Sequence, residues 1–180
     1  NAYKGRNIPG VSVVNKDPVL LGYTSSYDKG SGTNFAFTSV NTEIEVQITY
    51  LKKIKKNLKN VAIFVAASNA SAMSTQFIPM KERLQKENLN IIDVVLGPEK
   101  KVSNLKEIIK EDLISKIPAV ITEIEKSDPA KKNSVFWLTY SSSVIDNMET
   151  INDYATTIPT IGVTTNTVKN GPHSALIGIG

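Results

Sequence analysis

Val61–Ala67 is an uninterrupted apolar run of strand length. It falls far short of the roughly 20 residues a membrane helix needs, and it lacks the alternation of a strand with one wet face. A strand buried on both faces belongs to a parallel sheet covered by helices on either side. The run is therefore expected near the centre of one parallel sheet, not at an exposed edge.

The rest of the chain alternates strand-like and helix-like patterns, the signature of βαβ units. Val11–Val14 and Val19–Tyr23 are strand-like, Lys29-Gly-Ser-Gly-Thr-Asn34 reads as a linker or hinge, and Phe35–Phe37 is a short strand candidate. Thr42 opens a helix with Glu45 at the capping-box spacing. Ile44, Ile48, Leu51, Ile54 and Leu58 give that helix one apolar side. After the polar turn Ser68-Asn-Ala-Ser71, a second helix carries the stripe Met73, Phe77, Met80 and Leu84, with Pro79 expected to kink it or mark its true start.

Asn90–Leu96 is the next strand. Ser103–Ser127 is helical and expected to break into two pieces at Pro118. Ser134–Tyr140 is a strand, about 144–155 a helix, and Ile158–Thr164 a strand with Pro159 near its start. Asn170-Gly171-Pro172 is a turn, and Ala175–Ile179 a last short strand. The whole reads as an α/β three-layer αβα sandwich around a mostly parallel, doubly wound sheet.

Composition narrows the functional classes. At 180 residues, 41% hydrophobic and 21% charged, the chain has an ordinary globular balance. It contains no cysteine, which excludes disulfides, zinc–thiolate sites and cysteine nucleophiles. The net charge of +4 is concentrated in Lys52, Lys53, Lys55, Lys56 and Lys59, with Lys100, Lys101, Lys131 and Lys132 elsewhere. Only Tyr50 lies close enough to interleave with them, so the cluster reads as a solvated helix face and no nucleic-acid partner is expected.

Ligands of a doubly wound sheet sit beyond the carboxyl ends of its strands. Three such ends are polar: Ser68, Asn69 and Ser71; Ser141, Ser142 and Ser143; and Thr164, Thr165 and Asn166. The first two lie at helix starts, where free N–H groups favour a carboxylate or phosphate. Hydroxyls and amides without ionisable groups suit recognition, not proton transfer. Tyr140, at the mouth of its strand, is a candidate to touch a ligand, whereas Phe136 and Trp137 read as core.

No catalytic constellation emerges. His173, the sole histidine, sits in a turn beside Pro172 and reads as a surface residue. The chain has no Gly-x-Ser-x-Gly elbow, no Gly-x-Gly-x-x-Gly and no Walker loop. Its paired carboxylates, Glu43/Glu45, Glu107/Glu111/Asp112 and Glu123/Glu125, fall on helix bodies and read as solvated faces. The chain is not expected to be an enzyme or to carry a metal or cofactor.

The stretch Asn7-Ile-Pro-Gly-Val-Ser-Val-Val-Asn-Lys-Asp-Pro-Val19 resembles one near the end of the first lobe of ABC transporter solute-binding proteins. The similarity is to the branch that includes aromatic amino-acid binders. Gly32-Thr-Asn34 through Ser39 is similar to that family's linker. Lys59-Asn-Val-Ala-Ile-Phe64, Ser68-Asn69, Ile78-Pro-Met-Lys-Glu82, Ile117–Ile124 and Ile158-Pro-Thr-Ile161 follow in the family's order.

The resemblance implies a periplasmic-binding-protein lobe of type I, with residues 1–34 as the tail of the first lobe plus the hinge, and 35–180 as the second lobe. It implies capture of a small polar solute, such as an amino acid, outside the cytoplasm, and delivery to an ABC permease in the membrane. Ser68, Asn69, Ser141, Ser142 and Thr165 carry over as ligand contacts. Tyr140-Ser-Ser-Ser143 departs from the family's Pro-rich turn, which leaves the ligand's identity open. Two other readings fit the pattern: a sensor domain of a membrane receptor, and a flavodoxin-like protein holding phosphate or FMN at Ser68–Ser74.

Overall fold

The computed structural model describes residues 4–14, 17–39, 41–155, 157–163, 165–168 and 177–178. Two parallel sheets form where the sequence pattern suggested one. The smaller pairs β1 (Gly10–Val14) with β2 (Phe35–Ser39), in the register Gly10↔Phe35 and Ser12↔Phe37. Gly10 lets the strands pair closely, because a Cβ there would meet the Phe35 ring at 2.6 Å unless the ring shifted. On the opposite face of this pair Val11 and Val13 are 76% and 68% exposed.

The chain then crosses into helix α1 (Ile44–Ile54) and the main sheet. That sheet contains β3 (Asn60–Ala66), β4 (Asn90–Leu96), β5 (Ser134–Leu138), β6 (Thr160–Gly162) and β7 (Ile177–Gly178). The order across it is β4-β3-β5-β6-β7, with every neighbouring pair parallel. Numbered within this sheet the order is 2-1-3-4-5, the doubly wound order of flavodoxin-like folds. Successive strands are added outward to β4 on one side of β3 and outward through β5, β6 and β7 on the other, which makes the carboxyl ends of β3 and β5 the switch point.

The apolar run from Val61 forms most of β3, fully buried and paired on both sides, with β5 as the middle strand. Alternate residues of β3 feed two cores. Ala62, Phe64 and Ala66 pack under α4 (Leu105–Ser127), α5 (Ser142–Ile145) and α6 (Met148–Ala155). Val61, Ile63 and Val65 pack with Trp137 under α1 and under a second helical stretch. That stretch is α2 (Ala70–Ala72), a π-helical turn Met73–Phe77, and α3 (Ile78–Gln85). Each fully buried Leu, Ile or Phe side chain contributes about 1.5–3 kcal/mol, so these two layers hold the sheet together.

Several expected elements differ. Val19–Tyr23 is a run of turns, because Asp17 accepts from the N–H groups of Val19 (2.8 Å) and Leu20 (3.1 Å) and coils the backbone back on itself. The Thr42–Glu45 capping box does not form. Glu43 holds the cap position without a side-chain bond, and Glu45 pairs with Arg83 instead. Pro79 follows the π-helical turn, in which the Ile78 N–H reaches back to the Met73 carbonyl, and it stands at the start of α3.

Pro118 does not split α4. The stripe Leu105, Ile109, Leu113, Ile117, Val120 and Ile124 is buried continuously through it. Pro118 and Ile114 lie on the exposed side, where water can satisfy the carbonyl that Pro118 leaves unpaired. The helix expected over 144–155 instead forms as the two pieces α5 and α6. His173 and the 170–172 turn lie outside the described residues.

A polar network closes the amino ends of the main strands. Asn60 donates to Ser134 Oγ (3.0 Å) and accepts from Asn90 (2.9 Å) and Ser127 (2.9 Å). The buried Asp128 carboxylate accepts from Ser134 Oγ and the Asn133 N–H, both at 2.7 Å. Lys55 and Lys59 reach the Lys132 and Ser127 carbonyls at this same end. These groups are mutually satisfied and distant from the carboxyl edge, so they stabilise the sheet and leave the opposite edge as the place for a ligand.

Candidate functional site

β3 and β5 both end in polar loops, and one side chain joins those loops across the switch point. Asn69 Nδ2 donates to Ser141 Oγ (3.0 Å) and to the Tyr140 carbonyl (3.3 Å). Its Oδ1 accepts from the Ala72 N–H (3.0 Å) and from Ser71 Oγ (3.3 Å), so the same amide also caps α2. Ser141 is buried, and its carbonyl accepts from the Val144 and Ile145 N–H groups at the start of α5. Thr139 anchors the loop below by donating twice, through N–H and Oγ1, to the Phe64 carbonyl.

The residues expected to touch a ligand thus fall into two groups. Asn69 and Ser141 are occupied by each other, and Ser71 leans on Asn69 and accepts from Thr75 Oγ1 through its carbonyl. Ser68 is half-buried, Ser142 is exposed, and Ser143 is half-buried. None of these three hydroxyls bonds a protein partner among the described residues. Tyr140 is half-buried and packs against both cores, while its backbone is held on both sides, carbonyl by Asn69 and N–H by Gln76 at 2.7 Å.

The third loop lies at the carboxyl end of β6 on the same edge. Thr165 and Asn166 form part of a short 3-10 turn, Thr165–Val168, and Thr164 lies outside the described residues. Thr167 is buried against Gly162, with its side chain filling the space a Cβ at Gly162 would need. The structure therefore brings the first two loops into direct contact and sets the third beside them on β6.

Gln76 is a residue that sequence pattern alone does not single out. It sits in the π-helical turn and is fully buried, with Nε2 donating to Asn41 Oδ1 (3.0 Å) and Oε1 accepting from the Tyr140 N–H. The available signal was its position, one residue before Phe77 on the apolar stripe of Met73, Phe77, Met80 and Leu84. A polar residue on a buried face must be satisfied there.

Electrostatics keep the edge neutral. Residues 68–71 and 140–143 include no carboxylate, lysine, arginine or histidine. The depressed carboxylates lie elsewhere. Burial alone would raise the Asp112 pKa, but the Lys116 ammonium and the Gly97 N–H outweigh it and hold the carboxyl below its ordinary range. Burial likewise opposes ionisation of Asp128, and bonds from Ser134, Asn133 and Lys132 together with nearby Lys59 hold it low. Among the described residues no cluster of acidic or histidine side chains could hold a metal ion.

No family sequence profile and no curated protein sequence matches the chain. Solved structures do. A ligand-free, open substrate-binding protein with adhesive properties from Clostridium difficile superposes with a TM-score of 0.62 at 18% identity, covering 88% of this chain and 47% of that one. The likeness is one of fold: this chain has the parallel αβα lobe seen in that structure. An ABC domain from Streptococcus pneumonia, solved with L-Trp, superposes at 0.61 and 14% identity, covering 92% of this chain and 51% of that one. A conserved domain protein from Vibrio cholerae superposes at 0.59 and 21% identity, with 87% and 46% covered. The chain spans about half the length of each of these proteins.

Proposed function

We propose that this chain supplies one wall of a cleft that captures a small polar solute, with the switch-point edge of β3 and β5 as that wall. The observation that carries the reading is the pairing of roles at this edge. Asn69 spends its amide fixing the two loops together, and Ser68, Ser142 and Ser143 keep hydroxyls unspent beside it. A preorganised neutral rim of this kind binds by hydrogen bonds and lacks the groups that move protons. A binding, non-enzymatic role follows, and the fold shared with substrate-binding proteins supports it.

The finer reading adds the context that the sequence resemblance implies. The solute is an amino acid or a molecule of similar size, the location is extracytoplasmic, and the recipient is an ABC permease. The small sheet of β1 and β2 belongs to the first lobe, which moves the lobe boundary expected after residue 34 to the far side of β2; the segment between β2 and α1 forms the crossover, and the open Val11 and Val13 face is covered by the rest of that lobe. Closure of two walls over the solute expels water and strengthens each hydrogen bond.

The test is a calorimetric screen of amino acids and nucleosides against a protein containing both lobes, with Ser68→Ala and Ser142→Ala beside wild type. Loss of a ligand partner in a closed cleft is worth about 1–3 kcal/mol, so each variant should weaken binding by roughly 5- to 150-fold. Unchanged affinity in both variants would contradict the placement of the site. A yellow protein with bound flavin would instead favour the flavodoxin-like reading, which shares the 2-1-3-4-5 strand order.

A further inference from the structure

Gln76 links two parts of the molecule that the chain order keeps apart. Its Nε2 donates to Asn41, in the segment that crosses from the small sheet to α1, and its Oε1 accepts from the Tyr140 N–H at the switch point. Asn41 is itself pinned to the end of β2 through its N–H, which donates to Ser39 Oγ at 3.0 Å. A π-helical turn places Gln76 there, and its extra residue per turn is a local departure from regular helix that recurs at functional positions. The Gln76 amide is fully buried and bonded at both ends, so moving either partner away costs it a hydrogen bond in a dry interior.

Taking the binding reading as its basis, we propose that Gln76 is a positioning residue that couples the crossover segment to the ligand-facing loop. A change in the direction of the chain at Asn41 pulls on the Gln76 amide, and Gln76 transmits it to the Tyr140 peptide. The Tyr140 carbonyl is already held by Asn69, so the shift reaches the Asn69–Ser141 bridge. The placement of the small sheet and the shape of the solute-facing rim are thereby linked through one side chain.

The test reads the coupling itself and needs no ligand, so its failure is distinguishable from failure of solute binding. Amide exchange at Tyr140 is followed by NMR in this chain for wild type, Asn41→Ala, Gln76→Leu and the double variant. Ile109→Val, in the opposite core, serves as a control for general loss of stability. Asn41→Ala leaves both Gln76 and Asn69 in place at Tyr140, yet it should speed Tyr140 exchange at least about fivefold, and the control should not. In the Gln76→Leu background the same substitution should add less than about twofold.

An unchanged Tyr140 amide in Asn41→Ala overturns the proposal, as does an equal effect with and without Gln76. Should Gln76→Leu fail to fold, the comparison of wild type with Asn41→Ala decides by itself.

Discussion

Asn69 Nδ2 lies 3.0 Å from Ser141 Oγ, and this contact fastens the loop leaving β3 to the loop leaving β5. Asn69 therefore does more than cap a helix. Its replacement by alanine removes an N-cap, worth about 1 kcal/mol, and strips partners from the buried Ser141 hydroxyl and the Tyr140 carbonyl. Asn69→Ala is expected to cost about 2–3 kcal/mol and lower Tm by several degrees. Ser142→Ala should leave stability within about 0.5 kcal/mol, as expected of an exposed side chain without a partner. Thermal unfolding by circular dichroism checks both, and equal stability of the two variants would show that the bridge contributes nothing.

The third loop depends on a different fit. A methyl group at Gly162 would occupy the space of the buried Thr167 side chain. Gly162→Ala is expected to lose about 1–3 kcal/mol through overpacking and to displace the 165–168 turn. Thr167→Ala in the same chain should recover part of that loss. The comparison is made by urea unfolding of the two single variants and the double. A Gly162→Ala protein as stable as wild type would contradict the packing.

Stability should also fall in acid for an identifiable reason. Asp112 and Asp128 have folded-state pKa values held below those of the unfolded chain. Groups of this kind contribute stability that is fully present above the unfolded value of about 3.9 and is lost as pH falls through the folded value. Asp128→Asn should therefore flatten the acid side of the stability profile and lower the plateau at neutral pH. An acid limb identical to wild type would mean that Asp128 is not held low in the folded state.

Much of this architecture is legible in the residues. Val61–Ala67 announces a doubly covered strand, because a run of that length, apolar on both faces, is too short to cross a membrane and too apolar to face water. The alternation of elements around it points to a parallel α/β sheet. What the sequence conceals is mostly pairing. Asn69 can be read as a polar group at a strand end, but nothing local says that its amide is consumed by Tyr140 and Ser141, which lie 71 and 72 residues away. Gln76 is hidden for the same reason, since its partners Asn41 and Tyr140 are distant in sequence.

Where local signals misled, a competing interaction prevailed. The capping box yielded to the Glu45–Arg83 pair, the Pro118 break to an unbroken buried stripe, and the Val19–Tyr23 strand to the turn set by Asp17. The β1–β2 pair stayed outside the main sheet although its residues looked equally strand-like. Strand propensity cannot tell which sheet a strand will join.

If a small polar solute meets the chain at the carboxyl edge of β3 and β5, and this edge is one wall of two, amide chemical shifts will report it. The measurement is a titration of this chain with L-tryptophan, and then with other amino acids. Shifts are expected to be confined to residues 68–72 and 140–144, with affinity of about millimolar or weaker, no more than roughly 4 kcal/mol, because half of the enclosing surface is missing. Micromolar binding would place the whole site within this chain, and shifts clustered instead around the lysines of α1 would place it on the wrong end of the sheet.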